Sequence, residues 1–333
     1  MMQAPPGVQK YWLWKLSQRL ERSGFHKLAA KLYRKALVPG FRHNHHCGAD
    51  FNLVTSNSCF TVYWKGGRHL EGGLPLRQEM PKSRPCLILG SGPSINELDE
   101  RLYTECDIFV VNGSILKCTA ARRRVRAYIV QDPNFIETSF EIFKQGLDLA
   151  DSLYLSSHAI AAIARRDAGL LDGRTLYLLE RANRAFLLPR LATDEFRARF
   201  RHEDWLQLGD DTGPALIGWS HDPARGVFTG STVVYSALQL GVFAGYDNIL
   251  LAGVDFSVGV AGGRFYSEGG SSAVSHLDDN FMTQILPSFT LASEILIAGG
   301  VRITNLSIDS RLPENVIPKS IPSSAGSPTC DNE

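Results

Sequence analysis

The sequence predicts an α/β fold built on a doubly wound, mainly parallel Rossmann-like sheet, with an amphipathic helical hairpin ahead of it. Three observations carry this prediction. From Pro85 onward, short apolar runs alternate with helical segments, the pattern of parallel strands joined by right-handed crossovers. Several of these runs end in polar residues or glycine, and ligands in such sheets sit beyond the carboxyl ends of the strands. The 333 residues suffice for one large domain with an appendage.

In chain order, residues 1–40 form a basic amphipathic arm. Tyr11, Trp12, Leu16 and Leu20 share one helical stripe. Leu28, Leu32 and Leu37 share another after the break at Ser23-Gly24. Between Lys10 and Arg42 stand nine Lys or Arg and a single acid, Glu21. Two uses fit this arm: packing on the main domain, or seating Trp12 and Trp14 at an anionic membrane surface. Residues 41–84, rich in Gly, Pro and His, read as an irregular linker or cover. His43, His45, His46 and Cys47 crowd too closely for a zinc site and read as a loop cluster.

The main domain spans 85–318. Strands are expected at 86–90, 107–112, 126–131, 152–156, 175–179, 248–254 and 301–305, with helices near 94–103, 137–147, 158–168, 232–245 and 279–299. Residues 180–230 break the rhythm and read as a mobile, partly helical lid insert. Residues 319–333, "KSIPSSAGSPTCDNE", are poor in large apolar residues and read as a disordered tail.

A net charge of +1 gives no basis for a nucleic-acid partner. Six cysteines without a C-x-x-C pair suggest reduced, packed thiols and a cytoplasmic setting. No signal peptide and no apolar run of about 18 residues stands out.

The chemistry concentrates at strand ends. In "CLILGSGPSINELDE", Gly90 and Gly92 permit close backbone approach and Pro93 stiffens the turn. Ser94 with Glu97 is expected to form a capping box that leaves amides free for an anion. The turn is neither a dinucleotide fingerprint, lacking the third glycine, nor a P-loop, lacking G-K-[ST]. Asn112 ends the next strand and Asp132 the one after. Thr229, Gly230 and Ser231 lead into a helix whose start carries unpaired amides, and Asp255 follows "LLAGV".

This series resembles the bacterial sialyltransferases that use CMP-sialic acid. More closely, over about residues 85–318, it resembles the lipopolysaccharide-core transferases that add a further 3-deoxy-manno-octulosonate (Kdo) from CMP-Kdo. The motifs that carry the likeness are "VNGS", the Asp132 strand end, "GVDFS" with "RFYSE", "ILPSF" and "NLSIDSRLPENVIP".

The resemblance implies a CMP pocket formed by Gly90, Ser91, Gly92, Pro93, Ser94, Asn112, Asp132, Thr229, Gly230, Ser231 and Asp255. The sialyltransferases carry Asn at Ser91, Asn at Asp132 and Tyr at Ser257, which points to Kdo rather than sialic acid. Transfer needs partners for the donor's carboxylate and phosphate, for which Arg264, Tyr266 and Arg225 are candidates, and a base for the acceptor hydroxyl. His276 stands roughly where the sialyltransferases carry their catalytic histidine, with Asp132 or Asp255 as the alternatives.

The expected donor is CMP-Kdo, with no tightly bound cofactor and no metal. The expected acceptor is a lipid-linked oligosaccharide on the inner face of the cytoplasmic membrane. The readings that compete are a sialyltransferase, a pterin or nucleotide pyrophosphokinase, and a non-catalytic surface-assembly module.

Overall fold

The computed structural model of the chain describes residues 4–64, 68–75, 84–209, 213–256, 264–266 and 277–320. The strands are β1 (Asn52–Ser56), β2 (Cys59–Trp64), β3 (Arg68–Gly73), β4 (Cys86–Leu89), β5 (Asp107–Val111), β6 (Ala127–Val130), β7 (Leu153–Leu155), β8 (Leu176–Leu178), β9 (Leu206–Leu208), β10 (Gly218–Ser220), β11 (Asn248–Ala252) and β12 (Arg302–Asn305). The helices are α1 (Tyr11–Arg22), α2 (His26–Ala36), α3 (Leu102–Glu105), α4 (Ile115–Ala121), α5 (Pro133–Thr138), α6 (Phe140–Gly146), α7 (Ser157–Arg166), α8 (Thr193–Phe200), α9 (Val233–Phe243), α10 (Leu277–Asn280) and α11 (Leu286–Ala298).

Ten strands form one sheet in the order β1-β2-β3-β8-β7-β6-β5-β4-β11-β12. From β8 to β12 every pairing is parallel. The chain runs outward from β4 to β8, then returns to place β11 on the other side of β4. The sheet therefore has its topological switch point between β4 and β11, directly beside the Gly90 turn.

Side-chain alternation on β4 shows why its run is uniformly apolar. Leu87 and Leu89 face a core with α4 to α7, while Cys86 and Ile88 face a second core with α9 and α11. A strand buried on both faces has no polar side to present.

Several expectations need correction. The segment read as a linker or a small β-rich cover does carry strands, β1 to β3, after a 3-10 helix, Pro39–Cys47, but they extend the main sheet instead of standing apart as a cover. Its alternation was masked because β3 reads Arg-His-Leu-Glu-Gly-Gly, and Gly72 leaves room for the Phe60 ring opposite it. The insert read as a mobile lid has its own anchors: Phe196, Trp205, Trp219 and Phe228 are buried in the second core. It is a packed unit, with β9 and β10 paired as a small antiparallel sheet.

The expected helix at 94–103 is a 3-10 turn, Pro93–Glu97, followed by the short α3. The tail boundary also shifts. Lys319 forms a bridge with Asn305 and donates to the Ile308 and Ser310 carbonyls at 3.0 and 2.7 Å; residues 321–333 lie outside the described ones.

The N-terminal pair packs on the domain around Trp14, which is fully buried and donates its indole N–H to the Ala49 carbonyl at 2.9 Å. Arg22 holds Asp50 at 2.7 Å on the same side. The opposite side exposes Tyr11, Trp12, Phe25 and Leu28. Trp14 therefore has no place at a headgroup interface, whereas Trp12 remains open. Residues 281–298 form a continuous helical stretch apolar and long enough for a bilayer by length and composition, but its Ile285, Phe289, Ala292 and Leu296 are buried in the second core.

Candidate active site

The Gly90 turn and the β11 loop interlock through their backbones. Gly90 N donates to the Ala252 carbonyl at 2.7 Å, and Gly92 N to the Gly253 carbonyl at 2.8 Å. A methyl group on Gly92 would stand 2.0 Å from Asp255 Oδ2, and one on Gly90 would stand 2.4 Å from Gly253 O. Both glycines are thus required by contact rather than by backbone angle.

The capping box expected of Ser94 and Glu97 is absent. Instead, Asp255 Oδ2 accepts from the Ser94 amide at 3.1 Å, and the Ser94 hydroxyl donates to Ser307 Oγ at 2.7 Å. A carboxylate from β11 caps the turn because strand packing brings it closer than the side chain three residues along. Ser94 and Asp255, both expected to line a CMP pocket, are instead bonded within the protein, where they tie the turn together.

The motif "NLSIDSR" explains how this arrangement is braced. Asn305 Nδ2 donates to Val254 O at 3.4 Å, Ser310 Oγ to the same oxygen at 2.6 Å, and Val254 N to Ser307 Oγ at 3.0 Å. Arg311 N donates to Asp255 O at 2.8 Å, so four residues of one motif fix residues 254–255. The sequence carried the motif but not its task, since each of these bonds joins residues more than 50 positions apart.

Asn112 lies at the end of β5 with φ +48°, and its Oδ1 is buried without a hydrogen-bond partner among the described residues. Such an orphaned acceptor fits an N–H donor supplied by a ligand. The next residue, Gly113, lies under the Tyr266 ring: a methyl there would be 2.1 Å from Tyr266 Cζ. Burial raises the Tyr266 phenol pKa, and Arg264, whose Nη1 is 3.4 Å from the hydroxyl, opposes that rise. Phe265 N donates to Ser91 O at 3.0 Å, so residues 264–266 join the β4 and β5 ends.

Asp132 caps α5, accepting from Asn134 N at 2.9 Å. Gln131, not singled out from the sequence, is buried beside it, its Oε1 unpartnered among the described residues. Gly230 (φ +47°) and Ser231 (φ +64°) form the bend before α9, and Thr232 caps that helix, accepting from Val234 N. Asn112, Ser231 and Phe256 (φ +52°) place left-handed non-glycine backbone at this edge, where strain commonly accompanies function.

Arg225, a candidate from the sequence, instead pairs with Glu203 at 3.0 Å and lies 4.7 Å from the Trp205 ring centre. His276 and Ser257 lie outside the described residues. Among the described residues, no three His, Cys, Asp or Glu side chains are grouped to hold a metal ion. The structure thus gathers Gly90 to Ser94, Asn112, Asp255, Arg264 and Tyr266 around the switch point. Asp132 lies two strands from β4 on the same edge.

The chain resembles several known proteins. It is 23% identical over 253 residues to a probable 3-deoxy-manno-octulosonic acid transferase of Salmonella typhimurium, covering 70% of this chain and 85% of the relative. Among solved structures, the Campylobacter jejuni sialyltransferase CstII with CMP-3FNeuAc aligns at TM-score 0.39 and 16% identity, over 70% of this chain and 85% of that one. The α-2,3-sialyltransferase Cst-I of the same organism gives 0.40 and 16%, over 73% and 82%.

The MAf glycosyltransferase of Magnetospirillum magneticum gives 0.40 and 17%, over 72% of this chain and 34% of that longer one. The family model for the 3-deoxy-D-manno-octulosonic acid transferase WaaZ matches residues 75–321. This span takes in the whole switch-point edge and its bracing motif, and the chain belongs to that family of Kdo transferases.

Proposed function

We propose that this chain transfers Kdo from CMP-Kdo to a sugar hydroxyl of the lipopolysaccharide inner core. The observation that carries the reading is the buried, unpartnered Asn112 Oδ1 beside the interlocked Gly90 and Gly253 turns, in a chain of the Kdo transferase family. A cytosine amine is a donor of the right kind for that oxygen. The backbone of the Gly90 turn approaches without side chains in the way, as a flat base requires.

In the proposed reaction the bond between the ketosidic carbon and the CMP phosphate breaks, and CMP leaves with the electron pair. The acceptor oxygen bonds to that carbon and yields its proton to a base. Asp132 is proposed as that base: each carboxylate accepts one backbone amide, but Asp132 is half-buried where Asp255 is buried; His276 is the alternative that the family resemblance offers. Arg264, Tyr266 and the amides at the start of α9 face the developing negative charge in this scheme.

A cytoplasmic placement with peripheral membrane contact belongs to the same proposal. Tyr11 (55% exposed), Trp12 (67%) and Phe25 (61%) share the outer side of the helical pair, an apolar group set among lysines and arginines.

Purified protein with CMP-Kdo and a Kdo-bearing lipid acceptor is expected to release CMP. Release with CMP-sialic acid alone would move the donor to sialic acid. Stabilisation by CDP, UDP, ADP or NAD, but not by CMP, would remove the donor class altogether. A Trp12→Ser, Phe25→Ser double variant is expected to leave anionic liposomes for solution; an unchanged distribution would reject the membrane contact.

A further inference from the structure

Three arginines at the far end of the strand-end edge have no carboxylate within contact distance among the described residues. Arg181, Arg184 and Arg190 follow β8 on a segment latched to the Pro39–Cys47 helix. Arg190 N donates to Gly40 O at 2.7 Å, Asn44 Nδ2 to Phe186 O at 2.8 Å, and His43 Nε2 lies 3.0 Å from Ala185 O. The backbone that carries the three arginines is therefore fixed to the Pro39–Cys47 helix.

Their neighbours confirm that they sit together. Burial lowers the Arg184 pKa, and Arg181 and Arg190 lower it further by repulsion. Arg184 Nε is buried and makes no hydrogen bond among the described residues. Elsewhere the chain gives its arginines acids: Arg165 meets Glu137 at 3.0 Å, Arg174 meets Asp148 at 2.9 Å, and Arg225 meets Glu203 at 3.0 Å. The acid nearest in sequence, Glu180, gives its Oε1 to the Ser157 amide at 2.9 Å and is pushed by burial toward its neutral form, though its charge still favours the protonated forms of Arg181 and Arg184. The adjoining His43, His45, His46 and His158 are also held toward neutrality, chiefly by burial.

Three mutually repelling guanidiniums with an unsatisfied donor make an oxyanion site, because the guanidinium fork matches carboxylate and phosphate oxygens. The location separates this site from the nucleotide. β8 lies two strands from β6, about 10 Å at the usual strand spacing, on the side away from the switch point. Arg181 still feels the charge of Asp132.

We propose that Arg181, Arg184 and Arg190 form an acceptor subsite for the carboxylate or phosphate of an acidic saccharide, presenting its hydroxyl toward Asp132. The identity of the ligand rests on the glycosyl-transfer reading above; the oxyanion chemistry does not.

The test is a calorimetric titration of the full chain, without nucleotide, with a deacylated oligosaccharide of Kdo on a phosphorylated glucosamine disaccharide. Arg184→Gln and the more exposed Arg190→Gln are each expected to weaken binding at least about 10-fold. CMP affinity should stay unchanged, and Arg190→Lys should restore part of the loss. Dephosphorylated and carboxyl-reduced oligosaccharides identify which oxyanion the site holds, and undiminished binding of both overturns the proposal.

Equal affinity in the wild type and both variants also overturns it, as does an equal loss of CMP affinity. If CMP-Kdo is not a donor but saccharide binding still depends on the arginines, the subsite stands and the donor reading falls. If transfer occurs and the arginines make no difference to saccharide binding, the subsite alone falls.

Discussion

The two ends of the strand-end edge are built on opposite principles. At the β4, β5 and β11 end, the proposed recognition is prepared by backbone: two glycines interlock, and the Asp255 carboxylate is taken up by an amide. At the β7 and β8 end it is prepared by charge, with Arg181, Arg184 and Arg190 set among four histidines. The first end is sensitive to volume, and in the proposed scheme it meets charge chiefly through Arg264. The second tolerates shape changes but depends on charge and salt. A transferase that must hold a nucleotide base and an acidic sugar gains from keeping these two devices apart.

Asp132 lies between the two ends, and its replacement should have the largest effect. Asp132→Asn is expected to lower kcat about 10²- to 10⁴-fold while leaving stabilisation by CMP and saccharide binding intact. Loss of CMP stabilisation alone would assign Asp132 to the nucleotide end and remove it as the base. Gly92→Ala comes next. Its methyl would displace Asp255 and the Gly253 carbonyl, costing about 1–3 kcal/mol of stability and abolishing the CMP thermal shift. Saccharide binding should survive, and parallel loss of both ligands would show that the two ends are not independent.

Asn112→Gly removes the orphaned Oδ1 and relieves the φ of +48° together. The expected result is a CMP affinity about 10-fold lower at equal or higher melting temperature. Unchanged CMP affinity would leave the oxygen without a ligand partner.

The difference between the ends also governs what the sequence reveals. The parallel strands and the Gly90 turn are legible because each is a local pattern: apolar residues in a run, then glycine at the point where another backbone crosses. The arginine end is not legible, because its parts come from residues 39–47, 157–158 and 181–190. No spacing rule joins segments so far apart, and β8 and β3 meet through a single backbone pairing, Gly73 with Tyr177. The contact of Ser94 is hidden for the same reason. Its local partner Glu97 fitted a familiar motif, while Asp255, 161 residues away, won by packing. The helix α4 was missed because "ILKCTAA" is short and follows β5 almost directly.

The smallest expected effect at neutral pH is at the charged end, and it separates the two ends through proton linkage. Burial lowers the His158 pKa to about 3 and the His46 pKa to about 4, against an unfolded value of about 6.5. The folded chain therefore binds fewer protons than the unfolded one between these limits, and stability should rise with pH across that window. Read downward, stability is full above about pH 6.5 and is lost as pH falls toward 4 and then 3. Glu180 has the opposite sign: its raised pKa favours the folded state at low pH, and that support fades as pH rises through its titration.

His158→Gln, which keeps a donor for the His43 carbonyl now 3.1 Å from Nε2, is expected to flatten the melting-temperature profile below pH 6.5 and leave it unchanged at pH 7.5. A profile as steep as the wild type would remove His158 from the linkage. Cations added by protonation repel Arg184, which faces both His46 and His158, and a bound oxyanion offsets that repulsion. The acidic oligosaccharide should therefore move the acid limb of the profile to lower pH, whereas CMP, held away from these histidines, should raise the melting temperature without changing the slope.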